Sequence, residues 1–257
     1  MSDHSRWREQ AIAEMGLGPA WTRRAAPGAA APEAPLAAGA EPAQAAQATL
    51  AGVEAPVAAP LAADIAQMDW EALEATVSVC VKCRLCESRT RTVFGVGDRK
   101  AKWLFIGEGP GRNEDLQGLP FVGPAGKLLD NMLLAMGLSR TENAFIANVV
   151  KCRPIDGDGR DRAPAPDEAA ACMPYLQRQI ELLQPAILVA LGKTAAVSLL
   201  GLPADSPVGK LRGQVFDYRG LPLVVTYHPA YLLRRLSEKS KSWADLCLAM
   251  NAYAGAS

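Results

Sequence analysis

Beyond residue 100, short apolar runs alternate with stretches of helical period, and this alternation limits the fold more than any other feature. Trp103–Ile106 is an apolar strand ending at Gly107, Ala144–Val150 a second and Ala186–Leu191 a third. Between them, Pro124–Met136 reads as a helix opened by Gly-Pro and closed by Gly137. Pro166–Leu183 is helical, with Pro166 in its first turn and Pro185 stopping it, and a further helix, Lys193–Leu200, has Gly201 as its cap. Val215–Tyr218 and Leu221–Tyr227 flank Arg219-Gly220 as a hairpin, and a last helix covers Ser240–Tyr253. The order predicts an α/β domain with a largely parallel sheet and helices on both faces. Ligands of such sheets bind beyond the carboxyl ends of the strands. That rule alone selects Glu108, Asn148, Gly192 and His228, so a carboxylate, an amide and an imidazole converge on one rim.

The first quarter of the chain is of another kind. Residues 25–63 contain 19 Ala and 6 Pro and no Lys, Arg, His or aromatic residue. Proline recurs too often for a long helix, and nothing larger than Leu or Val is available for a core. We expect residues 25–66 to be an Ala/Pro-rich disordered linker, with a globular domain at 67–257 and a separate short segment at 1–24. The formal charge of zero averages these regions, since residues 64–257 alone carry +2. So small an excess excludes a highly basic nucleic-acid coat and predicts local attraction to phosphates. No stretch approaches the ~18 apolar residues of a membrane helix, and Met1–Gln10 is polar and charged, so a cytoplasmic protein is expected. Thiols stay reduced there, and six cysteines point to metal before disulfides.

Cys80, Cys83 and Cys86 form a C-x2-C-x2-C run, with Cys152, Cys172 and Cys247 farther on. Only His4 and His228 are present and no second tight cysteine pair follows, which counts against zinc and suits an iron–sulfur centre at least as well. Cys247 lies within the last amphipathic helix and reads as a core residue. The first strand runs into a glycine-rich turn, Gly107-Glu-Gly-Pro-Gly111, followed by Glu114 and Asp115. Nucleotide-loop readings fail: Leu128 stands where a Walker motif needs Ser or Thr, and Arg112 occupies the last glycine of a G-x-G-x-x-G. Phe121 stands inside a second glycine-rich loop, Gly118–Gly126, either as an anchor onto the core or as an aromatic platform for a base. After the last strand, Tyr227-His-Pro-Ala-Tyr-Leu-Leu-Arg-Arg235 places His228 on the rim, and Arg234, Arg235, Lys239 and Lys241 form a positive cluster behind it.

Together these motifs resemble the family 4 uracil-DNA glycosylases, the iron–sulfur branch of that superfamily, over residues 75–250. The resemblance rests on Cys80-x2-Cys83, Gly107–Gly111 with Glu114-Asp115, Gly118–Gly126, Asn148-Val-Val-Lys-Cys-Arg-Pro154 and His228-Pro-Ala-Tyr-Leu-Leu-Arg234. It implies a three-layer α/β/α domain around a central, mainly parallel four-stranded sheet. The implied activity is monofunctional: hydrolytic removal of uracil from single- or double-stranded DNA in base excision repair, by a monomer. It also implies a 4Fe–4S cluster on Cys80, Cys83, Cys152 and Cys172, with Cys86 an extra thiol beside it. In the pocket it implies Gly107 and Gly109 against the base, Phe121 stacked on it, Asn148 bonded to its polar edge and His228 near the oxygen that gains charge. Glu108 and Glu114 are both candidates for activating water, while Leu232 is expected to wedge into the vacated stack and Arg234 to contact phosphate.

Two other classes stay open: a relative that binds or crosslinks uracil-DNA without hydrolysis, and an iron–sulfur electron-transfer protein. At the front end, Trp7, Ala11 and Met15 fall at helical spacing, and the Met-Gly-Leu and Trp-Thr-Arg-Arg elements resemble the clamp-loader-binding peptide of the DNA polymerase III psi subunit. Residues 1–24 are thus a candidate docking peptide for a clamp-loader or other replication partner, with packing on their own domain or disorder as the alternatives.

Overall fold

The computed structural model describes residues 64–256, so the docking segment expected at 1–24 and all but the last three residues of the linker expected at 25–66 lie outside the described residues. Asp64 opens the described part by capping a 3-10 turn, Ile65–Gln67. Asp69 then caps α1, Trp70–Ser78, its carboxylate accepting from the Ala72 amide at 2.8 Å. The remaining order is β1 (Val96–Gly97), β2 (Trp103–Gly107), α2 (Arg112–Gln117), α3 (Pro124–Ala135), β3 (Ala144–Asn148) and α4 (Pro166–Leu183). After these come β4 (Ile187–Leu191), α5 (Lys193–Leu200), α6 (Val208–Leu211), β5 (Val215–Tyr218), β6 (Leu221–Thr226), α7 (Pro229–Arg234) and α8 (Lys239–Ala256).

The sheet order is β1-β3-β2-β4-β6-β5. The four inner strands are parallel, and β1 and β5 pair antiparallel at the two edges. The sheet is therefore six-stranded and mixed, where four strands were expected, because an antiparallel strand is added at each margin. One addition is the anticipated hairpin, whose turn residues Arg219 and Gly220 both take positive φ, 53° and 86°, as a tight two-residue connection requires. The other, β1, has two residues and leaves no periodicity to read.

Alternation along the inner strands divides the core into two layers. Leu104, Ile106, Leu188, Ala190, Leu223 and Val225 face one cluster with Leu73 and Val77 of α1, Leu176 and Ile180 of α4 and Leu199 of α5. Trp103, Phe105, Ile187, Val189 and Val224 face the other, against Leu129, Met132 and Leu133 of α3 and Leu246 and Ala249 of α8. The three layers match the expected α/β/α arrangement. Because β2, β3, β4 and β6 run in one direction, Gly107, Asn148, Leu191 and Thr226 end at the same rim. A buried polar joint supports that rim under β6, where the Thr226 hydroxyl and the Arg212 guanidinium donate to Asp245 of α8 at 2.8 and 2.7 Å.

Candidate active site

At the rim lies a cavity of about 500 Å³ lined by Glu108, Glu114, Phe121, Asn148, His228 and Arg234, with Gly109 in its wall. Gly107 lies beneath it: a Cβ there would collide with Asn148 Oδ1 and stand 2.7 Å from Phe121 Cζ, so only glycine lets the amide and the ring approach each other. The Asn148 side chain is 2 % exposed, yet its Oδ1 has no hydrogen-bond partner among the described residues. An unmet buried acceptor costs about 1–3 kcal/mol, which a ligand N–H would recover. The strand end bearing Asn148 is held from below, where Lys151 Nζ donates to the Asn148 carbonyl at 2.9 Å and to Gln179 Oε1 at 2.6 Å.

Phe121 is buried and takes φ 55°, a left-handed conformation that is unusual for an aromatic residue. Its ring lies 5.4 Å from that of His228 at an angle of 27°. The loop closes tightly behind it: a Cβ on Gly126 would overlap the Phe121 carbonyl oxygen, which excludes any other residue there. Glu114 Oε1 accepts from the amides of Val122 and Gly123 at 2.9 and 3.2 Å. Glu108 instead accepts a short hydrogen bond from the Thr194 hydroxyl at the start of α5.

His228 stands just before α7 and caps it. Its Nδ1 accepts from the Ala230 amide at 3.1 Å, which leaves the ring proton of the neutral form on Nε2. Burial lowers its pKa to about 4, with the Arg234 charge adding to the effect and Glu114 opposing it. The imidazole is thus neutral at ordinary pH and presents an N–H donor. Leu232 does not take the expected place. It is 1 % exposed and packs in the core layer of α3 and α8, because residues of α7 on that side face the domain. The exposed apolar residue of this helix is its neighbour Leu233, 41 % exposed. Thr194, Lys193 and Arg162 also border the rim and were not legible in the sequence, although the start of a helix right after Gly192 was a usable signal for the first two.

Cys80, Cys83, Cys86, Cys152 and Cys172 line a second, smaller cavity, with Arg89, Lys151 and Tyr175. Cys247 is elsewhere, half-buried on α8. Three donors already point at sulfur: Arg89 Nη1 at Cys152 (3.4 Å), the Tyr175 hydroxyl at Cys80 (3.3 Å) and the Lys151 amide at Cys172 (3.3 Å). Burial pushes the Cys152 thiol up to about 11, and raises those of Cys83 and Cys172. Bare thiolates are disfavoured there, and the same donors would stabilise sulfur whose charge is shared with a bound group. The Lys151 ammonium is fully enclosed, and its two acceptors are uncharged oxygens. An anionic group in the cavity would supply the missing counter-charge. No three His, Cys, Asp or Glu side chains among the described residues converge as they would on a single ion. The donor set fits a polynuclear thiolate-bound centre.

Residues 94–248 match the family model of the uracil DNA glycosylase superfamily. The chain is 40 % identical over 196 residues to the type-4 uracil-DNA glycosylase of Sulfurisphaera tokodaii, covering 71 % of this chain and 87 % of that protein. It is 45 % identical over 165 residues to that of Saccharolobus solfataricus, with coverage of 61 % and 74 %, and 42 % identical over 170 residues to that of Thermotoga maritima, with 66 % and 85 %. The glycine-cleared pocket, the thiol-lined cavity and these similarities agree: the chain belongs to the uracil DNA glycosylase superfamily and, within it, to the type-4 uracil-DNA glycosylases.

Proposed function

We propose that this protein hydrolyses the N-glycosidic bond of deoxyuridine in DNA, releasing uracil and leaving an abasic site. The observation that carries this reading is the partnerless, buried Asn148 Oδ1 beside the Phe121 ring. An acceptor in that place matches the N3–H of uracil, whereas cytosine presents a second acceptor there and would leave both unpaired. Phe121 stacks on the extruded base. As the C1′–N1 bond breaks, its electron pair passes into the uracil ring, and the His228 Nε2–H donates a hydrogen bond to the uracil carbonyl oxygen that becomes negative. Glu108 takes a proton from the water that adds to C1′. Each carboxylate has one oxygen engaged; Glu114 is the weaker candidate because two backbone amides fix it, whereas Glu108 is held by a single side-chain hydroxyl. Leu233 takes the wedge role that the burial of Leu232 forbids, and Arg234 contacts phosphate.

Cys80, Cys83, Cys152 and Cys172 hold a 4Fe–4S cluster, and Cys86 stands beside it. When bound, the cluster supplies an anionic cross-link between three distant chain segments. The protein acts as a monomer in the cytoplasm, where such thiols stay reduced. Residues 1–24 dock a replication partner through the 25–66 tether, and a pull-down with that peptide tests this.

The deciding experiment treats a uracil-containing oligonucleotide with the holoprotein and then with alkali. Alkali-dependent cleavage at uracil is expected. A gel-stable complex without turnover favours a binder, inertness favours electron transfer, and a borohydride-trapped adduct that is lost in Lys193→Ala would show that Lys193 at the rim serves as a nucleophile. Glu108→Gln should lower the single-turnover rate by about 10²–10⁴-fold, the usual worth of a general base. Glu114→Gln should act mainly on binding. Near-normal rates in both variants would remove the carboxylate step.

A further inference from the structure

We infer that Arg140 is a positioning residue for the base platform, holding Phe121 in its left-handed conformation from outside the pocket; this rests on the reading of Phe121 as the surface on which uracil stacks. Arg140 lies 19 residues beyond Phe121 in sequence and is not one of the residues lining the cavity. Its guanidinium nevertheless spans two successive carbonyls of the platform loop, with Nη1 donating to Pro120 O at 2.8 Å and Nη2 to Phe121 O at 2.5 Å. Nε donates to Asp130 of α3 at 2.5 Å, which aims the fork. Glu114 binds the next two amides from the other side. The four polar groups of the backbone around one strained residue are thereby divided between a cation and an anion, each bonded twice.

The arrangement has a physical purpose. An aromatic residue with φ 55° is disfavoured by contact between its Cβ and its own backbone, and relaxes toward negative φ unless its surroundings prevent it. Relaxation would rotate the Phe121 ring away from His228 and from the Gly107 gap. Burial of the ring opposes this, but hydrogen bonds to both flanking carbonyls set the peptide planes themselves. A planar guanidinium can meet two carbonyls at once, whereas an ammonium offers one point charge. Arginine is thus specified here by geometry, and lysine should fail.

The test uses Arg140→Lys and Arg140→Gln in the full chain, with Asp130→Asn as a comparison that keeps both carbonyl bonds. Base–aromatic stacking is worth about 1–3 kcal/mol, so loss of most of it predicts a roughly tenfold rise in KM for uracil-DNA and in the inhibition constant of free uracil. The single-turnover rate at saturating DNA should change by less than about threefold, and Asp130→Asn should stay within about twofold on all counts. In a Phe121→Ala background, Arg140→Lys should have no further effect, because the arginine acts through that ring. If Arg140→Gln fails to fold, Arg140→Lys decides alone, as it keeps the charge beside Asp130. A folded Arg140→Lys protein with normal KM and normal uracil inhibition overturns the inference, as does an undiminished effect in the Phe121→Ala background. A wild-type protein that neither releases nor binds uracil would instead sink the reading on which it rests.

Discussion

At the scale of single residues, the protonation of His228 is the most exposed point of the mechanism. Its Nδ1 is taken by the Ala230 amide, so the neutral ring donates from Nε2, and burial with Arg234 lowers its pKa to about 4 from an ordinary 6.5. Because the folded value lies below the unfolded one, protonation favours the unfolded chain. His228 therefore leaves stability untouched above pH ~6.5 and erodes it as pH falls toward 4. Uracil release should stay level from pH 8 to about 5 and change only near pH 4, where a proton taken up at Nδ1 breaks the bond from the Ala230 amide that orients the ring. Arg234→Ala removes a charge that lowers this pKa, so the acid limb should move upward. An acid limb centred near 6.5 in the wild-type protein, in a single-turnover pH series, would contradict the buried neutral imidazole.

At the scale of elements, the thiol-lined cavity ties together pieces that share no secondary structure. Cys80 and Cys83 follow α1, Cys152 follows β3, and Cys172 lies on α4. Lys151 belongs to both neighbourhoods, since its amide points at Cys172 while its ammonium holds the Asn148 carbonyl. Loss of a true ligand should therefore be felt in the uracil pocket as well as in the metal content. Cys152→Ala is expected to lose iron and to weaken uracil-DNA binding by tenfold or more. Cys86→Ala should keep its iron, measured as iron per chain and by visible absorbance. Iron lost in Cys86→Ala and kept in Cys152→Ala would reverse the ligand assignment.

At the scale of the whole molecule, attraction to DNA is local. The Arg234–Lys241 cluster read from the sequence is partly neutralised, because Lys241 pairs with Glu238 at 2.9 Å. Arg212, nearby, is spent on Asp245. Neutralisation of about two or three phosphates by this cluster would give, for duplex DNA, a slope of log affinity against log salt of about −2 to −3. A slope steeper than about −6 would require a cationic surface that the charge distribution does not provide. No helix among the described residues is long and apolar enough to cross a membrane.

Much of the site is legible in the sequence because its signals are local. A strand that ends in glycine, a loop with glycines at Gly118, Gly123 and Gly126, or a proline after His228 constrains the backbone within a few residues. The layered arrangement then follows from the need to cover both faces of a parallel sheet. The number of strands is not legible, since β1 has only two residues and exists through its pairing with β3. Nor is the choice between Leu232 and Leu233, which are equally apolar in sequence and differ in which side of α7 meets α3. Thr194 and Arg140 escape for the same reason: each acts on a residue it reaches only after the chain has closed on itself, and Lys151, three residues from Asn148, is aimed by Gln179, 28 residues away. The sequence by itself determined which chemical groups end the parallel strands, because backbone periodicity and glycine are local properties. Only the tertiary structure decided which groups hold them in place, because hydrogen bonds and burial depend on contacts that sequence order does not record.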